Sequence, residues 1–144
     1  MVRMTLLISI LLLFSLSLSA PIDTRAVIIQ PEAIQPFKPL IKAIGAVECN
    51  FDTLAYSPVE QAIGYFQIRP IRVEDYNLRT NSTYELIDMF DYQIAEKVFL
   101  FYASRIGPYD FEKITRNWNG GQEGINLKST EKYYLKVQKV LLSL

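Results

Sequence analysis

The sequence predicts an all-α domain, α+β at most, with a rudimentary hairpin as its only extended structure. Apolar residues recur at helical spacing in several separate segments. Proline, glycine and asparagine residues interrupt the chain between those segments, as they do at helix ends and in turns. With 144 residues, 50% of them hydrophobic and 21% charged, the chain has the size and composition of one globular domain.

The charge balance and the residue types present exclude several functional classes. Fifteen basic residues balance fifteen acidic ones, and no nucleic-acid-binding signature occurs, so we expect no nucleic-acid partner. Histidine is absent, which excludes His-based catalytic triads and His metal sites. Cys49 is the single cysteine, so the sequence provides neither an internal disulfide nor a thiolate metal cluster. A nucleophilic Cys49 would lack its usual histidine partner.

Residues 1–20 have the pattern of a signal peptide. Arg3 precedes an apolar run at 6–16, and small residues suited to cleavage follow that run. The run is short for a membrane span, so we expect an exported protein, periplasmic or extracellular, with no span after cleavage. An uncleaved N-terminal anchor is the alternative interpretation.

Residues 21–36 are predicted to form a tether, because their three prolines favour extended backbone. The folded domain is expected at 37–144, and Pro39 suits the first turn of its first helix. Four apolar residues then recur at helical spacing and predict one buried stripe, formed by Leu40, Ile41, Ile44 and Val47.

Glu48 lies at the C-terminal end of this first helix, directly after the apolar stripe. Burial disfavours a charged carboxylate, and so does the negative end of the helix dipole, so both effects raise the pKa of the side chain. A carboxyl group that stays protonated near neutral pH suits a general acid. An ordinary surface glutamate is the alternative that periodicity alone leaves open.

A polar loop at 49–62 and a short apolar segment follow the first helix. The loop contains turn residues, including the pair Ser57-Pro58. Gly64 then permits a backbone conformation that other residues resist. Gln67 stands between two apolar neighbours, where its amide must find partners, either backbone groups or a bound sugar.

The pattern from 71 to 90 is less regular. We expect a short helix at 72–76. A second short helix is expected at 84–89, with Asn81 and Ser82 as cap residues before it.

The last third of the chain predicts three longer helices. The helix at 91–106 has a broad apolar face. Asp110 is expected to cap the next helix, which ends near a tight loop formed by residues 119–121. Ser129 or Thr130 is expected to open the final helix, which carries apolar and aromatic side chains.

Five groups of residues follow one another in the order of a known family's motifs. In chain order they are Glu48-Cys49 at a helix end, Ser57-Pro58, Gly64-Tyr65-Phe66-Gln67-Ile68 with Pro70, Asn117-Trp118-Asn119-Gly120-Gly121, and Thr130-Glu131-Lys132-Tyr133-Tyr134. Together they resemble the catalytic domain of soluble lytic transglycosylases and goose-type lysozymes, in the lysozyme-like superfamily. The resemblance spans about residues 38–140, nearly the whole expected domain.

The resemblance implies a lysozyme-like helical domain that cuts the glycan strands of peptidoglycan. The bond cleaved would join N-acetylmuramic acid to N-acetylglucosamine, and Glu48 would be the single catalytic acid/base. A lytic transglycosylase leaves 1,6-anhydro-muramic ends and requires no metal or organic cofactor. Peptidoglycan would therefore be the partner of this domain.

The resemblance also implies a set of substrate-binding residues. Gln67 and Asn119 would hydrogen-bond the glycan, and Ser57 would hold the loop or touch the substrate. Trp118 would form an apolar wall, and Tyr133 would line the cleft near the acid.

Departures from the family's motifs leave other functions open. Cys49 replaces a serine, which is the better hydrogen-bond donor, and Trp118 replaces a tyrosine. Asp52 or Glu60 could act as a second carboxylate and make the protein a lysozyme-type hydrolase. If the replacements have spoiled the site, the domain would bind peptidoglycan without cleaving it, or serve only as a structural component of the cell envelope.

Overall fold

A computed structural model describes residues 35–144 of the chain. The predicted signal peptide at 1–20 lies outside the described residues. So does the predicted tether at 21–36, apart from its last two residues.

Five α-helices and one small antiparallel hairpin form the described domain, which confirms the predicted all-α class with a rudimentary hairpin. In chain order they are α1 (Lys38–Cys49), β1 (Tyr56–Ser57), β2 (Ala62–Ile63), α2 (Pro70–Thr80), α3 (Tyr92–Ser104), α4 (Phe111–Gly120) and α5 (Lys128–Leu141), with 3₁₀ helices at Leu86–Phe90 and Gly124–Asn126. In the hairpin, Tyr56 pairs with Ile63 and Ser57 with Ala62. The helices of residues 35–144 include none with the length and hydrophobicity needed to cross a membrane.

Three helix ends follow the sequence signals. Pro39 lies in the first turn of α1, where a missing N–H costs no helical hydrogen bond. The carboxylate of Asp91 accepts hydrogen bonds from the backbone N–H groups of Gln93 and Ile94 and so caps α3. Asp110 caps α4 in the same way, through the backbone N–H of Lys113.

The region from 70 to 90 corrects the sequence prediction. Helix α2 spans eleven residues, instead of the short helix expected at 72–76, because Pro70 starts the helix. Asn81 ends α2 in a left-handed conformation, with a φ of 53°, and does not cap the following element. That element is the 3₁₀ helix Leu86–Phe90, which begins after Glu85 instead of at residue 84.

The turn between α4 and α5 also differs from its prediction. Asn119 and Gly120 belong to the last turn of α4, and the chain leaves the helix at Gly121, whose φ is 83°. Helix α5 begins at Lys128, ahead of both predicted starting residues. The hydroxyl of Thr130 is buried within the helix and lies 2.7 Å from the carbonyl oxygen of Gly124, so it stabilises the turn.

The core lies where α1, α3, α4 and α5 meet the segment after the hairpin. Phe66 from that segment and Phe99 of α3 are fully buried, with stacked rings 5.0 Å apart. Leu40 and Ile44 present the predicted stripe of α1 to this core, and Val137 does so from α5. Because α5 packs against both α1 and α4, the C-terminal end of α1 is held beside the last helix.

Candidate active site

Glu48 is half-buried at the end of α1, where its Oε1 accepts a hydrogen bond from the hydroxyl of Tyr133 on α5 at 2.5 Å. Burial raises the pKa of Glu48 from 4.5 to about 7. The hydrogen bond from Tyr133 opposes that rise, as do the positive charges of Arg69 and Lys136, whereas the negative charge of Glu60 adds to it. The carboxyl group is therefore partly protonated near neutral pH and can both give and take a proton.

Cys49 fixes the end of α1 to the turn that follows the hairpin. Its Sγ lies 3.3 Å from the carbonyl oxygen of Gly45 and 3.3 Å from that of Tyr65. Burial raises the pKa of the thiol, so it remains protonated and can donate to these acceptors. A protonated, hydrogen-bonded thiol is a poor nucleophile, and the group stabilises the site instead.

Gln67 occupies a strained turn beside Glu48. Its φ of 47° places a non-glycine residue in the left-handed region. The side-chain Nε2 donates to the carbonyl oxygens of Gly64 at 3.0 Å and Ala55 at 3.3 Å, which is the backbone alternative of the two that the sequence left open. The same side chain also lines the cleft that contains Glu48.

The last turn of α4 forms the opposite wall of the cleft. Trp118 is 7% exposed, and its indole N–H donates to the carbonyl oxygen of Phe66 at 3.2 Å, so this N–H is engaged within the protein. Asn119 is exposed, and its side-chain amide forms no hydrogen bond with any residue in the described part of the chain. Asn119 can therefore bind a ligand without first giving up an internal partner.

The cleft brings together four of the six predicted site residues. It is lined by Glu48, Gln67, Trp118 and Asn119, together with Glu60, Ile68, Arg69 and Arg72. Its cavity volume of about 40 Å³ would hold two or three water molecules, so the cleft is too small to enclose a whole sugar ring. Tyr133 reaches Glu48 from α5. Ser57 is half-buried in β1 opposite Ala62 and does not line the cleft.

The structure separates the two candidates for a second carboxylate. Glu60 lines the same cleft as Glu48, and its charge contributes to the raised pKa of Glu48. Asp52 is exposed outside the cleft, and its Oδ1 accepts a hydrogen bond from the backbone N–H of Leu54 at 2.9 Å. Glu60 is therefore the better placed of the two.

Sequence reasoning missed two arginines that line the cleft. Arg69 Nη2 donates to the carbonyl oxygen of Asn119 at 3.0 Å, and Arg72 Nη2 donates to that of Trp118 at 3.1 Å. These cations satisfy carbonyl groups at the negative end of the α4 dipole and so fix the wall that carries Asn119. The sequence shows only two arginines near Pro70. The carbonyl groups that they bind lie 46 to 50 residues farther along the chain, so no local pattern could indicate this role.

Comparisons with protein-family models, with curated proteins and with solved structures found no match to this chain. Within residues 35–144, no group of three or more cysteine, aspartate and glutamate side chains is placed to hold a metal ion.

Proposed function

We propose that this protein cleaves the glycan strands of peptidoglycan as a lytic transglycosylase, with Glu48 as its single acid/base. The observation that carries the proposal is the position of Glu48. A half-buried carboxyl group with a pKa of about 7 faces a cleft that also contains Gln67 and Asn119. These three residues come from separate motifs of the family resemblance, and the folded chain brings them into one cleft.

The reaction follows from the protonation state of Glu48. The protonated carboxyl group donates its proton to the glycosidic oxygen, and the bond from this oxygen to C1 of N-acetylmuramic acid breaks. The acetamido group of the same sugar stabilises the cation. The carboxylate then takes the proton of the C6 hydroxyl while the C6 oxygen bonds to C1, which yields the 1,6-anhydro product and restores Glu48.

The cleft also supplies groups that would position the glycan. The free side-chain amide of Asn119 can donate to and accept from sugar hydroxyl or acetamido groups. Gln67 holds the turn through its Nε2, which leaves its side-chain oxygen as an acceptor at the cleft. Asn119 is therefore the stronger candidate for a direct glycan contact.

Glu60 supports a second candidate function, a lysozyme-type hydrolase. Because Glu60 lines the cleft with Glu48, it could activate a water molecule or stabilise the cation as a second carboxylate. The product would then be a reducing end, which is one water heavier than the anhydro end.

Mass spectrometry of purified peptidoglycan digested with the protein tests both functions. We expect muropeptides that end in 1,6-anhydro-muramic acid from the wild-type protein and none from Glu48→Gln. Reducing ends that disappear in Glu60→Gln would instead favour the hydrolase. A folded wild-type protein that releases no product would contradict the enzymatic proposal and favour a binding or structural domain.

Cys49→Ser is the matched control for Glu48→Gln, since the two residues are adjacent on α1. We expect this variant to keep its products, because a serine hydroxyl can replace the thiol as donor and no step uses the sulfur. Loss of product in both variants would mean that damage to the end of α1, and not loss of the acid, explains the result.

A further inference from the structure

A second and larger concavity adjoins the cleft. This basic groove lies between α2, the C-terminal end of α3, α4 and the segment after α4, and its volume is about 930 Å³. It shares four lining residues with the cleft: Arg69, Arg72, Trp118 and Asn119. A ligand that reaches past these four shared residues would therefore contact both the cleft at Glu48 and the basic groove.

The charge of the basic groove differs from that of the whole chain. Five cationic side chains line it, namely Arg69, Arg72, Arg79, Arg105 and Lys113. The acidic residues there are Asp75 and Glu123, and Asp75 is already paired with Arg79 at 2.8 Å. The chain as a whole carries fifteen residues of each sign, so the positive excess is local.

Arg72 provides the most specific evidence for an anionic ligand. Its guanidinium is stacked 4.4 Å from the ring centre of Tyr102 and 4.9 Å from that of Trp118, and burial lowers its pKa. The ion pairs within residues 35–144 join Arg79 to Asp75 and Arg116 to Glu112, so Arg72 has no carboxylate at ion-pair distance there, although the charge of Asp75 acts on it from farther away. The Nη2 of Arg72 is bonded only to neutral acceptors, the carbonyl oxygens at the end of α4. A partly desolvated cation of this kind gains most from a charged acceptor.

Two further cations of the groove are available to a ligand. Arg105 and Lys113 are exposed, and neither takes part in those ion pairs. Ile106 and Ile125 also line the groove and give it an apolar component. Carboxylates next to short aliphatic groups would match both features.

We propose that the basic groove binds a short acidic peptide, namely the peptide attached to the muramic acid of peptidoglycan. This inference rests on the proposed function, because it places the glycan at Glu48 and the peptide beside it. In glycan that carries peptides the sugars are uncharged, because the carboxyl group of each muramic acid is in the amide bond to its peptide, whereas the peptide carboxylates complement the cations of the groove. The groove would thereby favour glycan that still carries its peptides, because each peptide brings more carboxylates than the single one of a bare muramic acid.

Peptide binding can be measured apart from catalysis, by titrating the ¹⁵N-labelled protein with the synthetic tripeptide alanyl-glutamyl-alanine. We expect amide shifts at groove residues such as Gly121 and Ile125. The same tripeptide with its carboxylates converted to amides is the matched probe, and it should bind about tenfold more weakly. Equal binding of the two tripeptides would overturn the inference.

Single charge removals test the groove itself. Arg105→Gln and Lys113→Gln should each weaken tripeptide binding about threefold, because each removes one exposed cation. Lys139→Gln removes an exposed cation of α5 outside the groove and should leave the affinity unchanged. If all three variants lose the same affinity for the tripeptide, the net charge of the protein explains the binding, and this result would contradict a localised site.

The outcomes separate this inference from the proposed function. If the tripeptide causes no shifts while digestion still releases muropeptides, the groove inference fails and the enzyme proposal stands. If the tripeptide binds but no glycan is cut, the enzyme proposal fails and the groove remains an acidic-peptide site. If a neutral chitin oligosaccharide shifts the groove residues and the tripeptide does not, the groove belongs to the glycan and the inference is overturned.

Discussion

Glu48 and Tyr133 together set the acidity of the candidate site. Burial is the larger effect on Glu48 and raises its pKa, whereas the hydrogen bond from Tyr133 stabilises the carboxylate and acts against burial. The pKa of Tyr133 lies well above its ordinary value, so the hydroxyl keeps its proton and donates it in this hydrogen bond. The proton that exchanges near neutral pH is therefore the one on Glu48.

Replacing Tyr133 by phenylalanine removes the hydroxyl and keeps the ring. We expect the pKa of Glu48 to rise further, because its carboxylate loses a stabilising donor. The alkaline limb of kcat/KM for peptidoglycan cleavage should then move to higher pH. Loss of the orienting hydrogen bond should lower the plateau about fivefold. Tyr134→Phe is the adjacent control and should leave the pH profile unchanged. If the alkaline limb stays at the same pH in Tyr133→Phe, that limb does not report the ionisation of Glu48.

Residue-scale predictions from the sequence succeeded where the decisive effect is local. The apolar stripe of the first helix predicted that Glu48 lies at its end, but an exposed glutamate remained possible until the family resemblance favoured an acid in a cleft, and the structure shows Glu48 half-buried. The surroundings of Trp118 were not predictable in this way, because its indole N–H binds a carbonyl group 52 residues away. An aromatic residue in a motif fits a cleft wall and a core position equally well, and only long-range packing shows that Trp118 is largely core.

At the scale of elements, the contact between α1 and the turn after the hairpin positions the acid. Gly45 has no Cβ, and this lets the ring of Tyr65 lie directly on the helix. A Cβ added at Gly45 would be 2.0 Å from Cζ of Tyr65. The Tyr65 hydroxyl also lies 3.4 Å from the carbonyl oxygen of Ile41, and the backbone carbonyl of Tyr65 accepts from the thiol of Cys49. The segment after the hairpin therefore contacts α1 at Ile41, at Gly45 and at Cys49.

Gly45→Ala should change the free energy of unfolding in two opposite directions, through helix propensity and through a steric clash. Alanine favours a helix over glycine by about 1 kcal/mol. The clash with the ring of Tyr65 costs about 1–3 kcal/mol or more, because the ring must leave its position in the core. We expect net destabilisation, measured as a lower denaturant midpoint. Tyr65→Val in the Gly45→Ala background should recover part of the loss, and additive effects in that double-mutant cycle would refute the steric explanation.

Element boundaries were predictable where a side chain has a single usual role at that position. Asp110 was correctly predicted as an N-cap and Pro39 as a first-turn residue, whereas the cap formed by Asp91 was found only in the structure. Asn81 was ambiguous, because asparagine both caps helix starts and tolerates the left-handed conformation at helix ends. The end of α4 was misjudged since glycines usually break helices, whereas here Arg69 and Arg72 satisfy carbonyl groups of its last turn.

At the scale of the whole molecule, the candidate site exists only when distant segments meet. Glu48 comes from α1, Gln67 from the turn after the hairpin and Asn119 from α4. Helix α5 joins them by packing against both α1 and α4 and placing Tyr133 beside the acid. The all-α class followed from periodicity, but this arrangement depends on contacts that no local pattern specifies.

Assembly of the site should make the stability of the fold depend on pH. The unfolded chain exposes Glu48, which then titrates near 4.5, whereas burial in the folded state raises its pKa to about 7. Between these values the folded state binds more protons than the unfolded state, so the free energy of unfolding decreases as pH rises. The stabilisation of the folded state by protonated Glu48 is fully present below about pH 4.5. As pH rises the free energy of unfolding falls by up to about 3 kcal/mol, and it levels off above pH 7.

Glu48→Gln should remove this loss, because glutamine has the shape of the protonated acid and does not ionise. We expect the variant and the wild type to have similar unfolding free energies at pH 4, and the variant to be more stable by about 2–3 kcal/mol at pH 8. Urea denaturation across that range measures both curves, with Glu74→Gln as an exposed control on α2. Parallel curves for Glu48→Gln and the wild type would mean that burial leaves the acid unperturbed. If the unfolding free energies of the variant and the wild type differ only above about pH 4.5, the raised pKa that suits Glu48 as an acid also lowers the stability of the fold at neutral pH.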